Sequence, residues 1–337
     1  MTSSASAFPP SDAYDADDGY HAALLARLAA SDASVRRVAL FELADLEDAA
    51  LVPAFVAVLR DDPSADVRCE AARVLGAWER ADVVDALCAA LLDRDDDVRA
   101  SAAQSLSELK ERTSGAVLCR WADRPEPSVR AAVLRGLREL RDPDAYAPAL
   151  RALEDGTAAV RAEAVAVLGW LKDARALAPL ARIATADADA AVRRLAVGAL
   201  GFAASGDAAV ADALLAALLA ALRDREWQVR EEAAATLGKL RIAAARAPLV
   251  AALDDDYWQV RLRAARALGQ LRDAAAAPAV AALLVHSISN LRKEAALALG
   301  ELRDPASLPA LHAALDDRDP EVRKAVRIAI RQIEDAQ

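Results

Sequence analysis

From about residue 20 onward the chain repeats one pattern, an apolar stripe of helical spacing preceded by an acid-rich turn. In DDDYWQVRLRAARALGQLRD, which begins at Asp254, apolar or small residues fall at Val260, Ala264, Ala265, Leu268 and Leu271. Steps of three and four place them on one face of an α-helix. The acids just before the stripe can accept from the helix's first unpaired N–H groups and oppose the positive end of its dipole. Gly269 sits inside the stripe, where a missing side chain permits close helix approach. The following segment, AAAAPAVAALLVH, supplies another helix. Prolines recur at that place, as Pro53, Pro148, Pro179, Pro248, Pro278 and Pro309; lacking a backbone donor, they start or bend a helix. No segment alternates with period two, so the pattern predicts helix pairs, A then B, and no sheet.

A Val-Arg or Leu-Arg pair marks each B helix. Its arginines are Arg36, Arg68, Arg99, Arg130, Arg161, Arg193, Arg230, Arg261, Arg292 and Arg323, at intervals of 32, 31, 31, 31, 32, 37, 31, 31 and 31. A period of this size means stacked supersecondary units. The motif D-x-x-V-R-x-x-A-A-x-A-L-G-x-L-x-D with a downstream A-x-P-A-L resembles the HEAT-like repeat first named for phycobilisome lyase subunits. VRCEAARVLG, VREEAAATLGKL and VRLRAARALGQLRD match it best, while repeats one and four drift and repeat nine carries HSISNLRK in place of an acidic turn. The resemblance implies an all-α fold, a right-handed α-α superhelix of about ten helix-pair repeats whose B helices line a concave face. It implies no single function, since such solenoids serve as scaffolds, cofactor-attachment chaperones and occasionally enzymes. We expect residues 17–337 to form the solenoid, after a disordered leader at 1–16 rich in Ser, Ala, Asp and Pro. The 37-residue interval leaves about six extra residues, a possible offset at 201–223.

Composition narrows the function classes. Apolar residues make up 55% and aromatics 4%, so the core is built of Ala, Leu and Val. The formal charge of −10 repels phosphate backbones and anionic membranes, and so argues against a nucleic-acid role like that of the helical-repeat DNA glycosylases. Cys69, Cys88 and Cys119 form an odd set without CxxC spacing, which fits neither a disulfide framework nor zinc. The N-terminus lacks a secretory pattern, and the longest apolar stretch, Ala208 to Leu222, is too short to span a bilayer. The expected place is the cytoplasm.

Candidate chemistry is sparse. HEAT-repeat deoxyhypusine hydroxylases hold iron with paired His-Glu dipeptides, but His21, His286 and His312 are the only histidines and none precedes Glu. Cys69 and Cys88 read as small hydrophobes, and Cys119, beside Arg120, has no base at a fixed spacing. Acid clusters such as Asp93 to Asp97 match no EF-hand and recur as helix starts. The expectation is no catalytic residue, metal or cofactor. The ten arginines, each near an acidic turn, predict an inter-repeat ladder of charge-assisted bonds, with Arg261→Ala expected to lower thermal stability.

Binding is read from the positions that vary between repeats. Three residues before the marker arginine stand Trp227 and Trp258, with Gln228, Gln259 and Tyr257 beside them. Five after it stand Arg73, Gln104, Arg135, Arg266 and Leu297, and nine after it Trp170, Phe202, Lys239 and Gln270. Aromatic and arginine side chains on one surface are typical interface anchors. The candidate partner-binding residues are therefore Trp170, Phe202, Trp227, Gln228, Tyr257, Trp258, Gln259, Arg266 and Arg135. The expected function is a non-enzymatic scaffold or assembly factor holding a protein or peptide. The alternative is a subunit of a tetrapyrrole (bilin) lyase or a cofactor-insertion chaperone.

Overall fold

A computed structural model describes residues 12–202 and 208–336. Among them lie twenty α-helices, ten A–B pairs in chain order, and no strand. The chain divides into two compact units, Met1–Pro148 and Ala149–Gln337, each an α-α solenoid of stacked pairs. Of the expected leader, residues 1–11 lie outside the described set, and residues 12–16 already belong to the first A helix, Asp12–Arg27. No described helix is long and apolar enough to cross a membrane.

Each B helix buries its stripe as the spacing requires. The residue before the marker arginine is fully covered at Val67, Val98, Val129, Val160, Val192, Val229, Val260, Leu291 and Val322. Successive B helices approach closely at the glycine of the motif: a Cβ on Gly269 would stand 2.9 Å from the Cα of Ala298. The chain then leaves the helix through a left-handed residue, at Arg141, Lys172, Arg241, Arg272 and Arg303, each with φ between 51° and 57°. A cation there suits the negative end of the helix dipole.

The arginines form the expected ladder in six places. Arg36 meets Asp62, Arg68 meets Asp93, Arg161 meets Asp187, Arg193 meets Asp224, Arg230 meets Asp255 and Arg292 meets Asp317, each donating from Nε and Nη2 over 2.6–2.9 Å. Every one of these aspartates also accepts from the backbone N–H two residues on, as Asp255 does from Tyr257. One carboxylate thus fixes its own turn and clamps the preceding repeat. Burial alone would raise the pKa of Asp255, but the bonds from Arg230 and Tyr257 and the charge of Arg230 outweigh it and hold the group below the usual carboxylate range.

Of the other four copies, two show what replaces a rung. Arg99 pairs with Asp96 on its own helix, and its Nη1 donates to the carbonyl of Asp93. Arg261, the copy whose loss was expected to cost stability, is no rung: its Nε is buried without a hydrogen-bond partner among the described residues. The place of the clamping aspartate is taken by His286. Its Nδ1 accepts from the N–H of Ile288 at 3.0 Å, which preserves the turn, but an imidazole offers no carboxylate to a guanidinium.

The long interval falls on the A arm of repeat seven. That A helix, Ala208–Ala221, has 14 residues, residues 203–207 lie outside the described set, and Arg193 still reaches Asp224 at 2.7 Å.

Candidate binding groove

Five residues after the marker arginine, repeats five, six and seven carry Ala166, Gly198 and Ala235, where other repeats carry Arg73, Gln104, Arg135 or Arg266. Three short side chains in register leave a trough along the B helices Ala158–Leu171, Ala190–Leu200 and Trp227–Leu240. Its volume is about 450 Å³. Gly198 keeps it open, because a Cβ there would stand 3.1 Å from Oε1 of Glu232. Trp170, Leu195 and Phe202 line it at 48%, 40% and 47% exposure, so three large apolar side chains face solvent in one place. Exposed apolar area gathered this way marks a contact surface.

Charge is arranged around these rings. Lys239 Nζ stands 3.9 Å from the centre of the Phe202 ring and Lys172 Nζ 5.6 Å from it, both within cation–π range. Lys172 reaches the ring because its left-handed backbone ends the B helix of repeat five there. Among the described residues no carboxylate lies within ion-pair distance of Lys172, Lys239 or Arg194. Glu232 is half-buried on the neighbouring helix. Burial pushes its pKa above the ordinary value, against the pull of Arg194, Arg263 and Lys239 and with a further push from Glu231. The hydroxyl of Thr236, at the groove floor, is already committed to the carbonyl of Val197.

The charged side chains that line the groove are Arg194, Glu232 and Lys239, and no His, Cys, Asp or Glu cluster among the described residues could hold a metal. Cys69 and Cys88 are buried, and burial raises both thiol pKa values.

Of the residues singled out from the sequence, the groove unites Trp170 and Phe202. Trp227 and Tyr257 come together elsewhere, at the turns, with rings stacked at 5.5 Å and 14° and the Arg230 guanidinium 5.6 Å from the Tyr257 ring. That stack joins repeat seven to repeat eight. Gln228 is exposed beside it; Trp258 is half-buried, as is Gln259, whose Oε1 is buried without a hydrogen-bond partner among the described residues. Arg266 is exposed but engaged, donating to Glu294 at 2.8 and 2.6 Å. Arg135 belongs to the first unit. Leu195, Arg194 and Glu232 were not singled out; the run of small residues in the five-after column was the signal that could have found them.

The description of HEAT repeats matches residues 22–107, 52–125, 115–201, 183–258 and 246–331. The chain belongs to the HEAT-repeat family. This is broader than the phycobilisome-lyase-like repeat that the motif resembles, and the described helix pairs are those expected of HEAT repeats. Similar solved HEAT-like folds include an engineered protein, 21% identical over 93% of this chain and 98% of its own, with a TM-score of 0.53. Yeast importin-β (Kap95p), in a structure on its binding to RanGDP, is 15% identical over 95% of this chain, with a TM-score of 0.69. This chain spans about half the length of that protein, covering 50% of it. YibA of Escherichia coli is 21% identical over 74% of this chain and 92% of its own, with a TM-score of 0.58. At such identities the likeness is one of fold. No curated protein matches the chain.

Proposed function

We propose that the chain is a non-enzymatic HEAT scaffold that holds a protein or peptide on the B-helix face of repeats five to seven. The carrying observation is the groove itself: exposed Trp170, Leu195 and Phe202 around a floor kept low by Ala166, Gly198 and Ala235. Solenoids vary such inner positions to define partners while the repeated positions keep the stack. Importin-β, similar in fold, binds RanGDP and appears in complex with Nup1, which supports a protein as the kind of ligand. The compartment that suits buried, undisulfided Cys69 and Cys88 is the cytoplasm. A pull-down from the native host with wild-type chain and with Leu195→Glu tests the reading. A partner retained by wild type and lost from the variant at unchanged helicity is the expected result; equal retention removes the groove from the function.

The tetrapyrrole reading keeps one supporting observation, since cations beside exposed rings also suit a propionate-bearing pigment. Titration of the purified chain with a bilin separates the two. A saturable absorbance shift abolished by Lys239→Glu would favour pigment handling.

A further inference from the structure

The groove stands out electrically from the rest of its own column. Nine residues after the marker arginine the chain reads Asp45, Ala77, Glu108, Glu139, Trp170, Phe202, Lys239, Gln270, Glu301 and Gln332. Only repeats five to seven place rings or a cation there, in a protein of net charge −10. The ammonium groups of Lys172 and Lys239 lie over the Phe202 ring, Arg194 lines the same groove, and none of the three has a carboxylate at ion-pair distance among the described residues. Elsewhere on this protein's B helices cations are commonly paired, as Arg266 is with Glu294 and Arg263 with Glu231. Cations left unpaired beside exposed apolar rings are complementary to an anion that carries its own apolar group.

Resting on the reading that this groove is the binding surface, we propose that its ligand is an acidic peptide segment. A bulky apolar side chain of the peptide lies over Gly198 between Trp170 and Phe202, and a neighbouring carboxylate meets Lys172 and Lys239. Glu232 sets the direction. It lies seven residues before Lys239 on one helix, about 10 Å along the axis. A peptide carboxylate at the Glu232 end would meet a like charge, so the acid is confined to the lysine end while backbone N–H groups face Glu232.

Panning a phage-displayed random peptide library on the full chain tests this, followed by anisotropy titration of the fluorescein-labelled selected peptides. The expected outcome is enrichment of Asp or Glu next to Phe, Trp, Leu or Ile. Binding should weaken with added salt, fall about tenfold in Lys239→Met, and fall further in the Lys172→Glu/Lys239→Glu double variant. Melting temperatures of both variants should match the wild type, since neither lysine is buried. Enriched peptides that are basic or neutral, yet lose binding in Leu195→Glu, overturn the acidic ligand and leave the groove standing. Peptides indifferent to Leu195→Glu, or no enrichment at all, overturn both.

Discussion

Arg230 and Arg261 occupy the same place in consecutive repeats, in matching WQVR motifs, yet one is clamped and the other is not. Arg230 donates twice to Asp255, at 2.7 and 2.8 Å, and once to the carbonyl of Asp224. Arg261 faces repeat nine, where His286 keeps the turn but supplies no carboxylate, and its Nε is buried without a partner among the described residues. A rung is therefore a property of two repeats. The arginine can be present in every copy while the clamp depends on what the next turn offers. A buried donor without an acceptor is costly, so the eighth junction stores a local instability that the seventh lacks.

Acidification should break the comparison most broadly. The aspartates of all six rungs have pKa values held below the usual carboxylate range, through hydrogen bonds and the paired charge that for Asp62, Asp187, Asp224 and Asp255 overcome an opposing burial effect. A folded pKa below the unfolded one contributes stability that is present above the unfolded value and lost as pH falls through the folded value. Melting temperature should hold steady at neutral pH and fall steeply below the ordinary carboxylate range; a flat profile there would deny the rungs any net worth. Next in size, Asp255→Ala strands Arg230 and should cost about 2 kcal/mol, less than for a fully enclosed pair because solvent reaches both partners. The urea midpoint reads this out, and no shift would mean the seventh and eighth junctions are equal after all.

The reverse change should sharpen the contrast. His286→Asp supplies the missing carboxylate while keeping an acceptor for Ile288, and should raise stability by about 1 kcal/mol. If the variant melts lower than the wild type, imidazole contacts matter more than the absent rung. Smallest of all, Arg261→Ala should change stability by about 0.5 kcal/mol or less, against a clear loss for Arg230→Ala. Equal losses in the two variants would show that Arg261 is clamped in solution.

Much of this was legible in the chain. The marker arginines gave the repeat count, the acids gave the caps, and Gly269 gave a close helix contact that Ala298 confirms. The broken rung was also written there: six residues before each marker the chain reads Ala30, Asp62, Asp93, Arg124, Asp155, Asp187, Asp224, Asp255, His286 and Asp317. Repeat nine was seen to lack its acidic turn, but the consequence belongs to Arg261, which lies 25 residues earlier. The pairing could be assigned only once it was known that an arginine reaches forward to the following turn. Trp227 and Tyr257 show the same difficulty, since adjacent columns of different repeats stack on each other.

What the sequence by itself determined is the helix-pair period, the helix starts and ends, and the buried stripe, because spacing, capping and backbone preference act within a few residues. The tertiary structure decided which varied positions share a surface. Trp170, Leu195, Phe202, Lys239 and Glu232 come from three repeats, and only stacking brings their helices side by side over the small residues between. It also decided that Lys172 and Lys239 lie over a ring with no carboxylate at ion-pair distance among the described residues, and that Glu232 is half-buried. Burial and pairing are set by neighbours some thirty residues away, across a distance that a local pattern does not carry.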